Sequence, residues 1–239
     1  MELDGYKIDL ISDTHTQHRK IDMPGGDMVI CAGDISYQGA ETEIIEFFNW
    51  FMALPYTHKI MIAGNHDWGF EKAPKFYEEE ARTRGIILLN DSGCVVDGIK
   101  VWGSPVQPWF CDWAFNVNRG AEIKKHWDLI PEDTEILVTH GPPISILDEV
   151  PRGDRHGYQK TDKFGPKHAG CEDLYNKIWK TQVKLHVFGH IHEGRGCKYE
   201  LDKMFVNASS LDGRYRMVTG KPIRVVKGID DIYLLDSKQ

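Results

Sequence analysis

Residues 59–67 read KIMIAGNHD, an apolar run that ends abruptly in a polar cluster. Lys59–Ala63 has the length and composition of a buried strand. Gly64–Asp67 follows it directly, so these polar residues lie where a strand ends and a loop begins. The same arrangement recurs along the chain, and its five polar clusters are Asp13-Thr-His15, Gly33-Asp34, Gly64-Asn-His-Asp67, Thr139-His-Gly-Pro-Pro143 and Gly189-His-Ile-His192.

Strand and helix patterns alternate through most of the chain, which indicates an α/β fold. Glu41–Leu54 is the clearest helix, because its apolar residues recur at helical spacing until Pro55 stops it. The other predicted helices are Pro74–Arg84, Arg119–Leu129 and Cys171–Thr181. The predicted strands of this part are Lys7–Ser12, Met28–Ala32, Lys59–Ala63, Ile86–Leu89, Lys100–Trp102, Glu135–Thr139 and Lys184–Phe188.

The last part of the chain has strand patterns joined by short turns, without helices between them. This pattern predicts an antiparallel tail that completes a sheet. Its predicted strands are Lys198–Leu201, Lys203–Asn207, Ile223–Val226 and Asp231–Leu235. The long irregular stretch Asp148–Gly170 is rich in Gly, Pro and charge, and we interpret it as a candidate substrate loop rather than a linker.

Length and composition favour one globular domain over residues 1–239, with 41% hydrophobic and 27% charged residues. Met1–Leu10 does not have the pattern of a secretory signal, so we expect a cytoplasmic protein. No apolar run approaches the roughly 20 residues of a membrane helix, and no membrane partner is expected. The five cysteines fit neither a disulfide framework nor a zinc ribbon, which favours reduced, structural thiols.

The formal net charge of −7 argues against a broad nucleic-acid face, because affinity for a phosphate backbone depends on clustered Lys and Arg. A small substrate is therefore favoured over a nucleic-acid polymer, and nothing in the sequence indicates a protein partner. Bound divalent ions would reverse the field locally, so net charge does not exclude a nuclease.

The five clusters carry residue types that suit divalent metals. Ligands bind beyond the carboxyl ends of strands in helix-covered sheets, so the clusters are expected to converge on one site. Carboxylate and amide oxygens with imidazole nitrogens, and no nearby thiolate, accept Mn, Fe, Zn, Co, Ni or Mg, and among these ions we favour Mn²⁺. Two ions fit better than one, because the candidate ligands outnumber those of one tetrahedral site: Asp13, His15, Asp34, Asn65, His140, His190 and His192.

The order Asp-x-His, Gly-Asp, Gly-Asn-His-Asp, a later His and Gly-His-x-His resembles the motifs of the calcineurin-like metallophosphoesterase superfamily. The likeness is closer to the metallophosphoesterase-domain proteins that cleave cyclic nucleotides. It rests on the stretches Arg119-Gly120, Trp127–Pro131, Thr139–Pro143, Lys184–Gly189 and Ile191–Gly194. The resemblance implies a four-layer α/β/β/α sandwich with two mixed sheets.

The same resemblance implies a role for each candidate ligand. Asp13, His15, Asp34 and His192 would hold one metal, and Asp34, Asn65, His140 and His190 the other, with Asp34 as the bridge. Some vertebrate members have Gly where His190 stands, so its presence here predicts two complete metal positions. His66 would be catalytic, acting near the leaving-group oxygen while a metal-bridging hydroxide attacks phosphorus.

The predicted function is hydrolysis of a phosphodiester, with a small cyclic nucleotide as the favoured substrate. A phosphomonoesterase or a nuclease with the same metal site is the alternative among enzymes. The superfamily also contains a protein-binding scaffold without a complete set of catalytic residues, whereas none of those residues is missing here.

Other residues have two interpretations from the sequence alone. Asp67 would either orient a histidine behind the metal ligands or cap the following segment. Arg152 and Arg155 would either contact a substrate phosphate or remain solvated in their loop. Trp109 would either stack on a base or pack. His186 alternates with apolar residues in a predicted strand, so we interpret it as a core histidine.

Overall fold

The computed structural model describes residues 5–150, 167–228 and 231–235. The helices are α1 (Glu41–Ala53), α2 (Trp68–Lys72), α3 (Pro74–Thr83), α4 (Ala121–Asp128) and α5 (Glu172–Ile178). The first strands are β1 (Tyr6–Ile11), β2 (Gly26–Cys31), β3 (Tyr56–Met61), β4 (Ile87–Leu88), β5 (Ser92–Val96), β6 (Ile99–Ser104), β7 (Gln107–Pro108) and β8 (Asn116–Val117). The later strands are β9 (Ile136–Thr139), β10 (Glu149–Val150), β11 (Lys167–His168), β12 (Leu185–Phe188), β13 (Gly196–Glu200), β14 (Lys203–Asn207), β15 (Ile223–Lys227) and β16 (Ile232–Leu234).

Two mixed six-stranded sheets carry the fold. The first has the order β16-β15-β1-β2-β3-β4, in which β1 to β4 run parallel and β15 and β16 are antiparallel additions. The second has the order β13-β14-β12-β9-β6-β5, with a parallel centre from β14 to β6 and antiparallel strands at both edges. Short two-stranded ladders pair β7 with β8 and β10 with β11.

Side chains alternate between the two faces of each sheet, and the apolar ones form three layers. Ile8 of β1 belongs to the core between the sheets together with Ile136 of β9. Val29 of β2 belongs to a second core on the outer face of the first sheet, under α1 and α3. Leu137 of β9 belongs to a third core, which α4 and α5 cover. Helices therefore flank both sheets, which confirms the predicted α/β/β/α sandwich.

Helix α1 shows how the sequence pattern produces one of these layers. Ile44, Phe47, Phe48 and Phe51 are fully buried and recur at the spacing of one helical face. Each buried side chain of this kind stabilises the fold by roughly 1.5–3 kcal/mol. The helix ends just before Pro55, because the residue that precedes a proline favours extended backbone.

The predicted antiparallel tail is only partly correct. β15 and β16 are antiparallel as expected, but β14 runs parallel to β12 while pairing antiparallel with β13. Strand β5 and helix α2 were not predicted, because neither has a sustained apolar pattern. In the candidate substrate loop, β10 and β11 form a ladder, and residues 151–166 lie outside the described part.

The carboxyl ends of β1, β2, β3, β9 and β12 meet at one edge of the sandwich, where the loops that follow these strands are hydrogen-bonded to one another. At this edge Ser12, which follows β1, forms a bridge with Ser209, which follows β14, so the two sheets are joined there. Among the described residues, no helix has both the length and the apolar character that crossing a bilayer requires.

Candidate metal centre

Five loops, one after each of β1, β2, β3, β9 and β12, bring the predicted ligands together. Three overlapping groups have potential ligand atoms within 4.8 Å of one another, and these groups are Asp13 with His15 and His192, His15 with Asp34 and His66, and Asp13 with Asp34 and His140. Both sheets contribute to this cluster, which therefore lies between them at the carboxyl ends of the parallel strands.

On one side of the centre, Nε2 of His192 lies 3.4 Å from Oδ1 of Asp13. Nε2 of His15 lies 3.8 Å from Oδ2 of Asp34. Asp13 and His15 are completely buried, while the side chain of His192 is 10% exposed. These four side chains are the set that the resemblance assigns to the first metal.

On the other side, Nε2 of His140 lies 3.3 Å from Oδ2 of Asp34 and 2.9 Å from Oδ1 of Asn65. Nδ1 of His190 lies 2.8 Å from the same Asn65 oxygen. The Asp34 carboxylate thus lies between the two ligand sets, with His15 on one side and His140 on the other.

Hydrogen bonds behind the centre fix the orientation of three histidine rings. The Nδ1–H of His15 donates to the carbonyl of Ser36 at 3.0 Å, and the Nδ1–H of His140 donates to the carbonyl of Ala32 at 2.8 Å. His192 donates in the same way to a main-chain carbonyl at 3.0 Å. Because a carbonyl can only accept, each ring must carry its proton on Nδ1 and present Nε2 to the centre.

The residues present fit a divalent metal. Among the described residues, Nε2 of His15 is buried without a hydrogen-bond partner, although its lone pair faces Asp34. A buried polar atom without a partner is costly, and a metal ion would satisfy it. The donors around it are carboxylate and amide oxygens and imidazole nitrogens, the ligands that Mn²⁺, Fe²⁺ and Zn²⁺ accept.

The charges of the protein alone are balanced within the cluster. Burial alone would raise the pKa of both carboxylates, but His192 holds the pKa of Asp13 below its usual range, and His140 does the same for Asp34. Burial opposes charge on the histidines too, yet the carboxylates raise the pKa values of His140 and His192 to about 9. The protonated rings of His140 and His192 thus balance the charges of two buried carboxylates, and metal binding must displace a proton from each of these rings.

Burial has the opposite result at the other two histidines. Burial lowers the pKa of His15 to about 4. Burial, aided by the charge of His140, lowers the pKa of His190 to about 3. Both rings are therefore neutral near pH 7, which is the form that ligates metals.

Two glycines of the motifs, Gly64 and Gly189, leave no room for a side chain, because carboxylate oxygens lie too close to them. A Cβ on Gly64 would lie 2.3 Å from Oδ1 of Asp34, and one on Gly189 would lie 2.1 Å from Oδ2 of Asp13. The loops are also strained, since Asp13 has φ 51° and His190 has φ 66°, backbone angles that residues other than glycine seldom adopt.

His66 lies at the rim of the centre. Its backbone N–H donates to Oδ1 of Asp34 at 2.8 Å, and its Nδ1–H donates to the carbonyl of Tyr37 at 2.7 Å. The ring is stacked on Trp113 with centroids 4.2 Å apart and meets His15 edge-on at 4.6 Å. The ring is therefore held in place with Nδ1 engaged by the Tyr37 carbonyl, and Nε2 is the ring nitrogen left for other contacts.

Asp67 makes neither of the two contacts considered from the sequence. Its buried carboxylate accepts from the backbone N–H of Gly64 at 2.9 Å, from that of Ser36 at 3.0 Å and from the Ser36 hydroxyl at 2.6 Å. It makes no side-chain capping bond to α2. Asp67 thus joins the loop after β2 to the loop after β3. Burial, with the nearby charge of Asp34, raises the pKa of Asp67 to about 6.

Three residues of this region were not predicted. The Ser209 hydroxyl lies 2.8 Å from Oδ2 of Asp13, to which it donates, while Tyr37 and Tyr215 lie beside the His15 ring. Ser209 follows a predicted strand, which was its only sequence signal. The side chain of Asn207 donates to the carbonyl of Ile191 at 2.8 Å and is structural.

The predicted substrate contacts stay predictions. Trp109 is 56% exposed, and its backbone N–H donates to the carbonyl of Val117 at 2.9 Å. Arg152 and Arg155 lie outside the described residues. His186 is fully buried in β12, with its Nε2 2.8 Å from the hydroxyl of Thr139, which confirms its place in the core.

Comparisons with known proteins agree with this geometry. The family model described as calcineurin-like phosphoesterase matches residues 6–194. The human protein "Metallophosphoesterase domain-containing protein 1" is 38% identical over 230 residues, covering 87% of this chain and 67% of the relative.

Two solved structures share the fold at 14% identity. They are the phosphopantetheinyl hydrolase PptH of Mycobacterium tuberculosis, with a TM-score of 0.59 over 98% of this chain and 97% of that one, and TT1561 of Thermus thermophilus, with a TM-score of 0.56 over 86% and 89%. The family match, which spans most of the chain and all five polar clusters, decides the assignment. The chain belongs to the calcineurin-like phosphoesterase family, whose members are metal-dependent.

Proposed function

We propose that this protein is a two-metal phosphodiesterase that hydrolyses small cyclic nucleotides. The observation that carries the proposal is the position of Asp34, whose Oδ2 lies 3.8 Å from Nε2 of His15 and 3.3 Å from Nε2 of His140. A carboxylate flanked by imidazoles on both sides is suited to bridge two ions. A single four-coordinate site would leave part of this ligand set unused.

In this proposal the ligand set divides between two sites. Asp13, His15 and His192 would hold one metal, Asn65, His140 and His190 would hold the other, and Asp34 would serve both. Bound divalent ions lower the pKa of water and offset negative charge on phosphoryl oxygens. The protein supplies the fixed ring orientations and the strained loops that keep the ligand atoms in place before substrate arrives.

His66 has the separate task of assisting the leaving group. The carbonyl of Tyr37 fixes the proton on Nδ1, so protonation of the ring places the second proton on Nε2. Nε2–H then donates to the leaving oxygen and offsets its developing charge. The stacked Trp113 ring restricts rotation of the imidazole, which keeps Nε2 in one direction.

A small diester is favoured over other phosphoesters for two reasons. The chain resembles metallophosphoesterase-domain proteins that act on cyclic nucleotides, and the net charge of −7 disfavours an extended nucleic-acid strand. The net charge does not separate a diesterase from a monoesterase, so the substrate panel must include both ester classes.

The test combines purified, Mn²⁺-loaded protein with cyclic AMP, a linear diester, AMP and a single-stranded oligonucleotide. We expect cyclic AMP to be turned over fastest. Asp13→Asn is the matched inactive variant, because it removes a ligand charge without changing side-chain size. Turnover of AMP without turnover of either diester would overturn the diesterase proposal. Absence of hydrolysis with every ester would favour a protein-binding scaffold.

A further inference from the structure

The rings of two tyrosines, which the proposed chemistry does not use, lie against its histidines. The Tyr37 ring is stacked beside the His15 ring with centroids 5.7 Å apart and an interplanar angle of 29°. The Tyr215 ring lies 4.8 Å from the His15 ring and 5.3 Å from the His192 ring. The two tyrosine rings are 6.2 Å apart, so Tyr37 and Tyr215 together form one aromatic surface, which we call the tyrosine wall.

The main chain holds both tyrosines in place. The backbone N–H of Tyr37 donates to the Glu43 carboxylate at 3.3 Å, and its carbonyl accepts from the ring of His66 at 2.7 Å. The backbone N–H of Tyr215 donates to the carbonyl of Asp212 at 2.8 Å. Tyr215 also has φ 57°, which is unusual for a bulky residue. The loops therefore fix the wall independently of any packing by its rings.

The two rings contribute little to the core. Tyr37 is 42% exposed and Tyr215 is 40% exposed. Among the described residues, neither hydroxyl makes a hydrogen bond. What the wall offers beside the metal ligands is flat apolar surface open to solvent, and exposed apolar surface next to a polar site is typical of a ligand-binding surface.

Building on the proposed function, we propose that the tyrosine wall binds a planar aromatic group of the substrate, such as a nucleobase, while the metal ligands receive the phosphate. An aromatic face accepts any base, because every base has a π-face. Stacking of one base corresponds to roughly a 10- to 100-fold gain in affinity. The wall thus selects phosphoesters that carry an aromatic group over those that carry only a sugar or an alkyl chain.

Binding calorimetry on the full chain with Mn²⁺ tests the wall without requiring turnover. AMP and ribose 5-phosphate share the phosphate and the sugar and differ in the base. We expect wild type to bind AMP roughly 10- to 100-fold more tightly than ribose 5-phosphate. Phenyl phosphate against methyl phosphate shows whether the wall accepts any aryl group or requires the larger base.

Substitutions locate the preference on the wall. The double variant Tyr37→Leu/Tyr215→Leu is expected to lose most of the preference for AMP. Tyr37→Phe and Tyr215→Phe should keep it, because the hydroxyls are unbonded and the aromatic faces remain. Phe76→Leu on α3 is the matched control, since it removes an aromatic ring of similar exposure, 44%, from the outer helix layer.

Equal affinity of wild type for AMP and ribose 5-phosphate would overturn the proposal, as would an unchanged preference in the double variant or no binding of AMP at all. If the double variant does not fold, the single Leu variants carry the test. A preference for AMP that depends on the wall, in a protein that hydrolyses no phosphoester, would support the wall and overturn the proposed function alone.

Discussion

Oδ2 of Asp34 lies 3.3 Å from Nε2 of His140, although the two residues follow strands of different sheets. Asp34 comes after β2 in the first sheet, and His140 comes after β9 in the second. The contact therefore exists only when the two sheets are packed with their parallel strands ending at the same edge. It links the architecture of the sandwich directly to the assembly of the centre.

Asp34→Asn should reduce the Mn²⁺ bound per chain to one ion or fewer. The amide keeps the size of the side chain but removes the charge and one ligand oxygen, so it cannot bridge as the carboxylate does. Metal analysis after dialysis measures the effect. Asp202→Asn is the control, because that exposed carboxylate pairs with Lys184 away from the centre. Full metal content in Asp34→Asn would refute the bridging role.

His66→Ala should lower kcat by roughly 10²- to 10⁴-fold, the usual contribution of a positioned proton donor. Metal content should remain that of wild type, because His66 is proposed to assist the leaving group rather than to ligate. His126→Ala serves as the control, because it removes a histidine of α4 whose ring pairs with Asp91 at 2.7 Å. Unchanged turnover in His66→Ala would remove this residue from the mechanism.

Gly64→Ala should destabilise the protein and weaken metal binding, because its Cβ would lie 2.3 Å from Oδ1 of Asp34 and 2.7 Å from a ring carbon of His140. Overpacking of this kind costs about 1–3 kcal/mol of unfolding free energy. Denaturant unfolding and metal analysis measure the two effects. At Gly228 an added Cβ meets its nearest atom at 3.6 Å, so Gly228→Ala should be nearly neutral. Equal behaviour of the two variants would contradict the close-approach argument.

The buried His186 should make unfolding dependent on pH. Burial lowers its pKa to about 3 from the ordinary value of 6.5, so the unfolded state binds the proton first as the pH falls. Its contribution to stability is complete above pH 6.5 and is lost progressively toward pH 3. Wild type should lose about 2 kcal/mol relative to His186→Asn between about pH 7 and pH 5.

Denaturant unfolding of both proteins, with metal removed by a chelator, isolates this difference. The other titrating groups are common to wild type and His186→Asn, so their contributions cancel in the comparison. A difference in unfolding free energy that does not change between the two pH values would show that His186 is not the titrating group.

The sequence predicted those features that depend on local pattern. The clusters around Asp13, Asp34 and His140 were recognisable because each directly follows a short apolar strand, and α1 because its phenylalanines share one helical face. These signals lie within a few residues of one another along the chain, so no tertiary contact is needed to detect them.

Other features depend on contacts that the sequence pattern does not encode. The parallel pairing of β14 with β12 is set by the path of the chain between them, and β5 is a short edge strand whose residues are exposed or partly buried up to Val96. The loops alone bring Tyr37 and Tyr215 to the His15 ring. Asp67 acts through backbone N–H groups, which have no signature in the sequence.

The number of metal ions per chain tests the central claim most directly. Equilibrium dialysis of the wild-type chain against Mn²⁺ at neutral pH gives this number. Asp34 lies between two ligand sets, and His190 lies 2.8 Å from Asn65 in the second of them. The account therefore predicts saturation at two ions per chain, and saturation at one ion would contradict it.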